Sequence, residues 1–147
     1  MKASYINDLS IWASDFKFSV PVSVRFSETD MYGHLNNTIP FIYFEHARIE
    51  FMKEIKLMGN WLDPKGETFP VVADLQCDFV KQVFFDEKLA IFVKAAAVGN
   101  SSVDIHYMAK NNEGDIVFTG RGSMVQIGKK TGKGVPWTEV ERSLFVN

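Results

Sequence analysis

Thr38-Ile-Pro-Phe-Ile-Tyr-Phe-Glu-His-Ala-Arg-Ile-Glu-Phe-Met-Lys-Glu-Ile-Lys-Leu-Met58 repeats its apolar side chains with a helical period. Phe41, Phe44, Ala47, Phe51, Met52, Ile55 and Met58 share one wide arc of a helical wheel, and Glu50, Lys53, Glu54 and Lys56 lie mostly opposite. Asn36 or Asn37 is placed to cap its start. Pro40 falls in the first turn, where its missing N–H costs little, and Gly59 is expected to end the helix in a left-handed conformation. Ile42, Tyr43, Ile49 and Leu57 make the remaining face apolar as well. Such a helix is predicted to be enclosed by other structure. Glu45 and Arg48, at i and i+3 toward the apolar side, are expected to satisfy each other as a pair.

Around this helix the period changes to two. Val20, Val22, Val24 and Phe26 alternate with Ser23 and Arg25, a half-buried strand that Pro21 confines to a start or an edge. After a Gly- and Pro-containing loop (Asn60–Pro70), Val71, Ala73, Leu75, Cys77 and Phe79 alternate with Asp74, Gln76 and Asp78. Leu89–Val98 is nearly all apolar and reads as a strand covered on both faces. Val103–Lys110 and Ile116–Ile127 complete the set, with turn signals at Gly99-Asn100 and Asn111–Asp115. Gly120 and Gly122 sit where a bend, a bulge or a close backbone approach is expected. Gly128–Pro136 reads as a flexible exit, followed by a short amphipathic turn or helix.

The order β-α-β-β-β-β predicts an α+β fold: a five-stranded antiparallel sheet wrapped around one long helix. It forms a single domain over residues 1–147, with its core at about 20–128. The apolar third strand implies that the outer sheet face is buried too, most simply against a second subunit.

Composition narrows the function. Thirteen Phe, three Trp and four Tyr supply a core without staples. Sixteen basic residues against eighteen acidic ones leave a formal charge of −2, which is no electrostatic footprint for nucleic acid. Cys77 is the only cysteine, so an internal disulfide and a Cys-rich zinc module are excluded and a reducing, cytoplasmic setting fits. Met1–Val20 carries Asp8, Asp15 and Lys17 and does not read as a signal peptide. No run approaches ~20 apolar residues, so no membrane partner is expected. His34, His46 and His106 lack mutual metal-ligand spacing, and no metal is expected. Cys77 lies on the apolar side of its strand, as a core residue does. No Gly-x-Ser-x-Gly, phosphate-loop or dinucleotide motif is present.

The segment with chemical potential is Arg25-Phe-Ser-Glu-Thr-Asp-Met-Tyr-Gly-His-Leu-Asn-Asn-Thr38. It sets Asp30 in a Gly-containing loop just ahead of free helix N–H donors, a combination suited to acyl transfer. From spacing alone the commoner outcome is plainer: an Asx turn at Asp30, a bend at Gly33 and capping by the Asn pair.

The run Arg25-Phe-x-Glu-Thr-Asp30-x-x-Gly33-His34-x-Asn36-Asn37, followed by Tyr43-Phe-Glu-His-Ala-Arg48-Ile-Glu-Phe51, resembles the acyl-CoA thioesterases of the 4-hydroxybenzoyl-CoA thioesterase family. The likeness continues through Val98-Gly-Asn-Ser-Ser102 and Gly114-Asp-Ile-Val-Phe-Thr-Gly120-Arg-Gly, covering Val20 to about Pro136. It implies the hot-dog fold, hydrolysis of an acyl-CoA to free acid and CoA, no cofactor beyond the CoA of the substrate, and a homodimer or dimer of dimers with sites across the interface. By the same resemblance Asp30 attacks the thioester or activates water, the amide near Asn37 polarises its carbonyl, and Gly33 makes the turn between them. His34 matches a position where some relatives carry a functional His. Tyr32 stands where related plant acyl-carrier-protein thioesterases have Asn, and is grouped with Gly33, Lys81 and Arg121 as a substrate contact. The two cations are candidates for the CoA phosphates, along with Lys129 and Lys130. A second hot-dog branch uses a helix carboxylate, for which Glu45 is the nearest match. The competing readings are a non-catalytic acyl-CoA-binding hot-dog protein and an acyl-carrier-protein thioesterase.

Overall fold

The computed structural model describes residues 3–146. In chain order the elements are α1 (Leu9–Ser14), β1 (Phe18–Ser23), α2 (Ile39–Glu54), α3 (Met58–Leu62), β2 (Thr68–Val72), β3 (Gln76–Phe79), β4 (Lys88–Val98), β5 (Ser102–Lys110), β6 (Ile116–Gly128) and α4 (Glu139–Phe145). The antiparallel sheet runs β1-β4-β5-β6, and both β2 and β3 pair with β6. These two segments occupy one position, so the sheet has five places curled around α2, the hot-dog arrangement.

The helix side of the sheet is filled as the alternation requires. Phe44, Ala47 and Met52 of α2 are fully buried against Ile91, Ile105, Tyr107 and Phe118. Phe44 stacks on Tyr107 with ring centroids 4.3 Å apart. Pro21 lies on β1, an edge strand, where a residue without N–H is tolerated. Cys77 is half-buried against the same core.

Five expectations need correction. The first strand is Phe18–Ser23, not Val20–Phe26; a 3-10 turn follows at Phe26–Glu28 and leaves Phe26 exposed. The strand expected over Val71–Phe79 is interrupted at residues 73–75. There Asp74 Oδ1 accepts the Ser123 amide at 2.7 Å and pairs with Arg121, so a carboxylate takes the place of the ladder. The helix ends at Glu54, and the left-handed residue is Lys56 (φ 66°), with Gly59 inside α3. Turning at Lys56 lets the Leu57 amide bond Met52 O at 2.9 Å and drives Leu57 and Trp61 into the core. Glu45 and Arg48 do not pair: Glu45 is exposed, while Arg48, 7% exposed, donates to the Tyr107 hydroxyl at 3.0 Å. Glu45 shares an open flank of α2 with Ile42 and Ile49, so the helix is less enclosed than its composition implies.

The fifth correction concerns the outer sheet face. The chain's own amino-terminal segment covers part of it, which no sequence pattern announced. Trp12 and Phe16 pack on Met108, with Tyr5, Ile6, Phe92 and Ile116 around them. Tyr5 Oη lies 2.9 Å from Thr119 Oγ1, and Trp12 Nε1 donates to His106 Nδ1 at 2.9 Å. Indole N–H is only a donor, so the ring proton of neutral His106 belongs on Nε2, facing Asp104 Oδ2 at 2.9 Å.

Burial holds the His106 pKa below its ordinary value, against the pull of Asp104 and with Lys94 and Arg121 adding to the depression. A His kept neutral by folding contributes stability that is complete above the unfolded-chain pKa. That stability is lost as pH falls through the window between the unfolded and folded values. Protonation would also set two donors, His106 Nδ1 and Trp12 Nε1, against each other. Taking the protein from about pH 7.5 to about pH 5 is therefore expected to lower the protection factors of the α1 amides, exchange relative to the intrinsic rate at each pH, several-fold before the central strands respond. Equal protection of α1 at both pH values would refute this.

Candidate active site

The loop between the 3-10 turn and α2 is folded on itself by backbone bonds. Thr29 bridges Leu35, the Asp30 amide donates to His34 O at 2.8 Å, and the Asn36 amide donates to Glu28 O at 2.8 Å. The tip reverses at Gly33, whose φ of 79° favours glycine. Asp30 Oδ1 accepts the amides of Tyr32 (2.9 Å) and His34 (3.2 Å), the Asx geometry that its spacing suggested. Only one carboxylate oxygen is used in this way. Asp30 Oδ2 has no hydrogen-bond partner among the described residues.

At the start of α2 the N-cap position is Thr38, and no side chain makes a capping bond there, so neither Asn36 nor Asn37 caps the helix as expected. Asn36 instead forms an Asx turn just ahead of it, its Oδ1 accepting the Thr38 amide at 3.0 Å and its carbonyl the Ile39 amide at 3.0 Å. The Asn37 amide donates to no acceptor among the described residues. This unpaired donor lies one residue ahead of the N-cap Thr38, beside the electropositive end of α2.

Asp30, His34, Asn36 and Asn37 form one wall of a cleft of about 480 Å³. The opposite wall is Phe79–Val83, and Phe118 and Leu35 also line it. The two walls are stitched together where the Leu35 amide donates to Val83 O at 2.7 Å and His34 bridges Phe84. Four residues singled out from sequence, Asp30, His34, Asn37 and Lys81, therefore meet in one cleft. Tyr32 and Gly33 are at the exposed loop tip outside it, with the Tyr32 ring 6.4 Å from that of His34.

Arg121 does not line the cleft. Asp104 accepts from its guanidinium at 2.6 Å, and Asp74 pairs with it at 3.3 Å, so its charge is consumed within the sheet. Lys81 reaches the cleft wall but pairs with Asp115 at 2.9 Å, which raises the pKa of its ammonium; Glu113 and Glu87 add to the negative surroundings. His46 and Glu45 are exposed on α2 and do not line the cleft. Burial pushes the Cys77 thiol up to about 12, which disfavours a thiolate there. Among the described residues no three or more His, Cys, Asp or Glu side chains gather as a metal site.

Two features were missed from sequence. Gln82 and the apolar side chains Phe79, Val80 and Val83 complete the cleft, and no motif marks them. Glu28, two residues before Asp30, is a buried carboxylate. The signal available for it was a Glu three residues after Arg25, the spacing at which a carboxylate reaches back to a backbone amide, and Glu28 Oε1 accepts the Arg25 amide at 2.9 Å.

Comparison with known proteins agrees with this architecture. The chain is 47% identical over 136 residues to an uncharacterized protein, YsmA, of Bacillus subtilis strain 168, covering 92% of this chain and 90% of that one. It superposes with a TM-score of 0.74 on a thioesterase of Thermus thermophilus crystallised with coenzyme A and zinc, at 27% identity, covering 88% and 92% of the two chains. The PA5185 protein of Pseudomonas aeruginosa PAO1 gives a TM-score of 0.77 at 25% identity, covering 90% and 92%. Residues 24–144, which run from the end of the first strand to the last helix and include the whole cleft, match the thioesterase-like superfamily, and to that superfamily the chain belongs.

Proposed function

We propose that this protein hydrolyses an acyl-CoA thioester to the free acid and CoA. The observation that carries the reading is the pairing of two unsatisfied groups in one cleft: the free Oδ2 of Asp30 and the free amide of Asn37. A thioester carbonyl seated between them would have its oxygen polarised by the amide, as in an oxyanion hole. Asp30 then attacks the carbonyl carbon or takes a proton from the attacking water. Collapse of the tetrahedral adduct breaks the C–S bond, and the thiolate leaves to take up a proton as CoA. Where Asp30 itself attacks, this leaves a mixed anhydride on its carboxylate, and water then cleaves the new acyl C–O bond to release the acid and restore Asp30. His34 lines the same wall, and in this reading it contacts the thioester group.

Superfamily membership and a relative crystallised with coenzyme A support CoA as the acyl carrier. We infer a homo-oligomer, with a second copy closing the side of the cleft where Phe79 and Val80 lie exposed. The lone, protonated Cys77 fits a cytoplasmic location, and no helix among the described residues is long and apolar enough to cross a membrane.

The test is thiol release from short, long and aromatic acyl-CoAs, measured beside direct binding of the same compounds. Turnover of at least one, abolished in Asp30→Asn, is expected. Binding without thiol release across the panel would replace the reading with a non-catalytic acyl-CoA-binding protein.

A further inference from the structure

Glu28 is 5% exposed, yet it carries a carboxylate into the structure beside the loop of the cleft. Oε1 accepts two hydrogen bonds, from the Arg25 amide at 2.9 Å and from the Tyr43 hydroxyl at 2.8 Å. Among the described residues Oε2 takes only the Arg25 guanidinium, at 3.3 Å, from a side chain that is itself 75% exposed. The burial of Glu28 raises its pKa, but the Arg25 amide, the Tyr43 hydroxyl and the Arg25 guanidinium outweigh this and hold it below the ordinary carboxylate value. Tyr43 is buried in the second turn of α2, and burial beside Glu28 raises its pKa, so it remains a phenol that donates.

A buried carboxylate is an inefficient way to fill space, since an apolar side chain of similar volume avoids the desolvation cost. What a carboxylate adds is direction. Here its bonds reach two segments: the exit from β1 at Arg25 and the body of α2 at Tyr43. The backbone carbonyl of the same residue holds the Asn36 amide, one residue before the free amide of Asn37. Asp30 follows two residues after Glu28, on the chain that this clamp anchors.

We propose that Glu28 and Tyr43 form a positioning clamp that sets the Asp30 carboxylate against the start of α2. The clamp touches neither the cleft nor the substrate: neither residue lines the cavity. It acts through the loop, and its kinetic consequence rests on the thioesterase reading above. Because both donors meet Oε1, Gln at position 28 can still accept them and loses only the exposed Arg25 contact. Ala loses all three, and Tyr43→Phe loses the tie to the helix while keeping the ring.

The test uses Glu28→Ala, Glu28→Gln and Tyr43→Phe in the full chain, with kcat, KM and inhibition by free CoA read on the best acyl-CoA of the panel. Amide exchange at Leu35 and Asn36 is measured in parallel. Glu28→Ala and Tyr43→Phe are expected to lower kcat roughly 10- to 100-fold, with KM and CoA inhibition within about threefold of wild type. Glu28→Gln is expected to stay within about threefold in kcat, the rescue that an acceptor at Oε1 predicts. Exchange at Asn36 should rise at least about tenfold in the first two variants and not in Glu28→Gln, with the β5 amides unchanged. Unchanged kcat in Tyr43→Phe, or a Gln variant as impaired as Ala, overturns the clamp. If the wild type releases no thiol from any acyl-CoA, the thioesterase reading fails, and Asn36 exchange alone then decides the clamp: a rise supports it, and no rise overturns it.

Discussion

Asp30→Asn is expected to lower kcat for thioester hydrolysis by on the order of 10²- to 10⁴-fold while the protein stays folded. The separation of effects follows from how the two carboxylate oxygens are used. Oδ1 accepts the amides of Tyr32 and His34, and so holds the turn together. An Asn side chain keeps an acceptor at that position, so the Asx turn, the Gly33 reversal and the Thr29–Leu35 bridge survive. Oδ2 is the free oxygen, and in Asn it becomes an amide NH₂ that can neither attack a carbonyl nor accept a proton from water. Asp30→Ala is a harsher change, since it also strips the acceptor from two loop amides, and it is expected to disturb the loop as well as the reaction. The pair of variants is checked by kcat on the best acyl-CoA and by the melting temperature. Asn should leave melting within about 2 °C of wild type. An Asp30→Asn protein with full activity would remove Asp30 from the chemistry and return it to the role of a turn residue.

The parts of this molecule that were legible in sequence are those whose cause is local or periodic. Alternation along Val103–Lys110 and the helical arc from Phe41 to Met52 follow from which side of an element meets the core, and each is repeated often enough to be read. The Asp30 turn was legible because its donors lie two and four residues away. What escaped has its cause elsewhere in the chain. The six residues of α1 are held in place by Trp12 reaching His106, 94 positions on. The strand break at residues 73–75 leaves the alternation intact on paper, because it arises when Asp74 captures the amide of Ser123, 49 positions on. Lys56 rather than Gly59 takes the left-handed conformation because burial of Leu57 outweighs the backbone preference of glycine. Arg48 finds the hydroxyl of Tyr107, which no helical spacing could nominate. The far wall of the cleft was invisible for the same reason: Phe79–Val83 meets the Asp30 loop only through tertiary pairing at Leu35 and Val83.

Gly120 is the position where a single added carbon should cost most. A Cβ there would lie 2.6 Å from Phe44 Cζ and 2.7 Å from the carbonyl oxygen of Gln76, closer than such atoms can approach. Neither neighbour has room to yield. Phe44 is fully buried, stacked on Tyr107 and 5.8 Å from the ring of Phe118, a residue of the cleft. The Gln76 carbonyl belongs to β3, which pairs with β6 through Cys77 and Gly120 themselves. Relief therefore means either displacing the ring that joins α2 to the sheet or prising β3 off its partner. Gly120→Ala is expected to destabilise by about 3 kcal/mol, the upper part of the usual overpacking range, lowering the melting temperature by roughly 6–12 °C. Gly59→Ala supplies the contrast: it lies within α3, a Cβ there meets nothing within 4 Å, and it should be neutral or stabilising by up to about 1 kcal/mol. The obstacle itself is identified by a double-mutant cycle. If the ring is what the new carbon strikes, Gly120→Ala combined with Phe44→Leu should cost clearly less than the sum of the two changes. Strict additivity would instead assign the penalty to the Gln76 carbonyl and the β3–β6 pairing, and a Gly120→Ala protein as stable as wild type would show that β6 moves freely against α2, contrary to a core packed around Phe44.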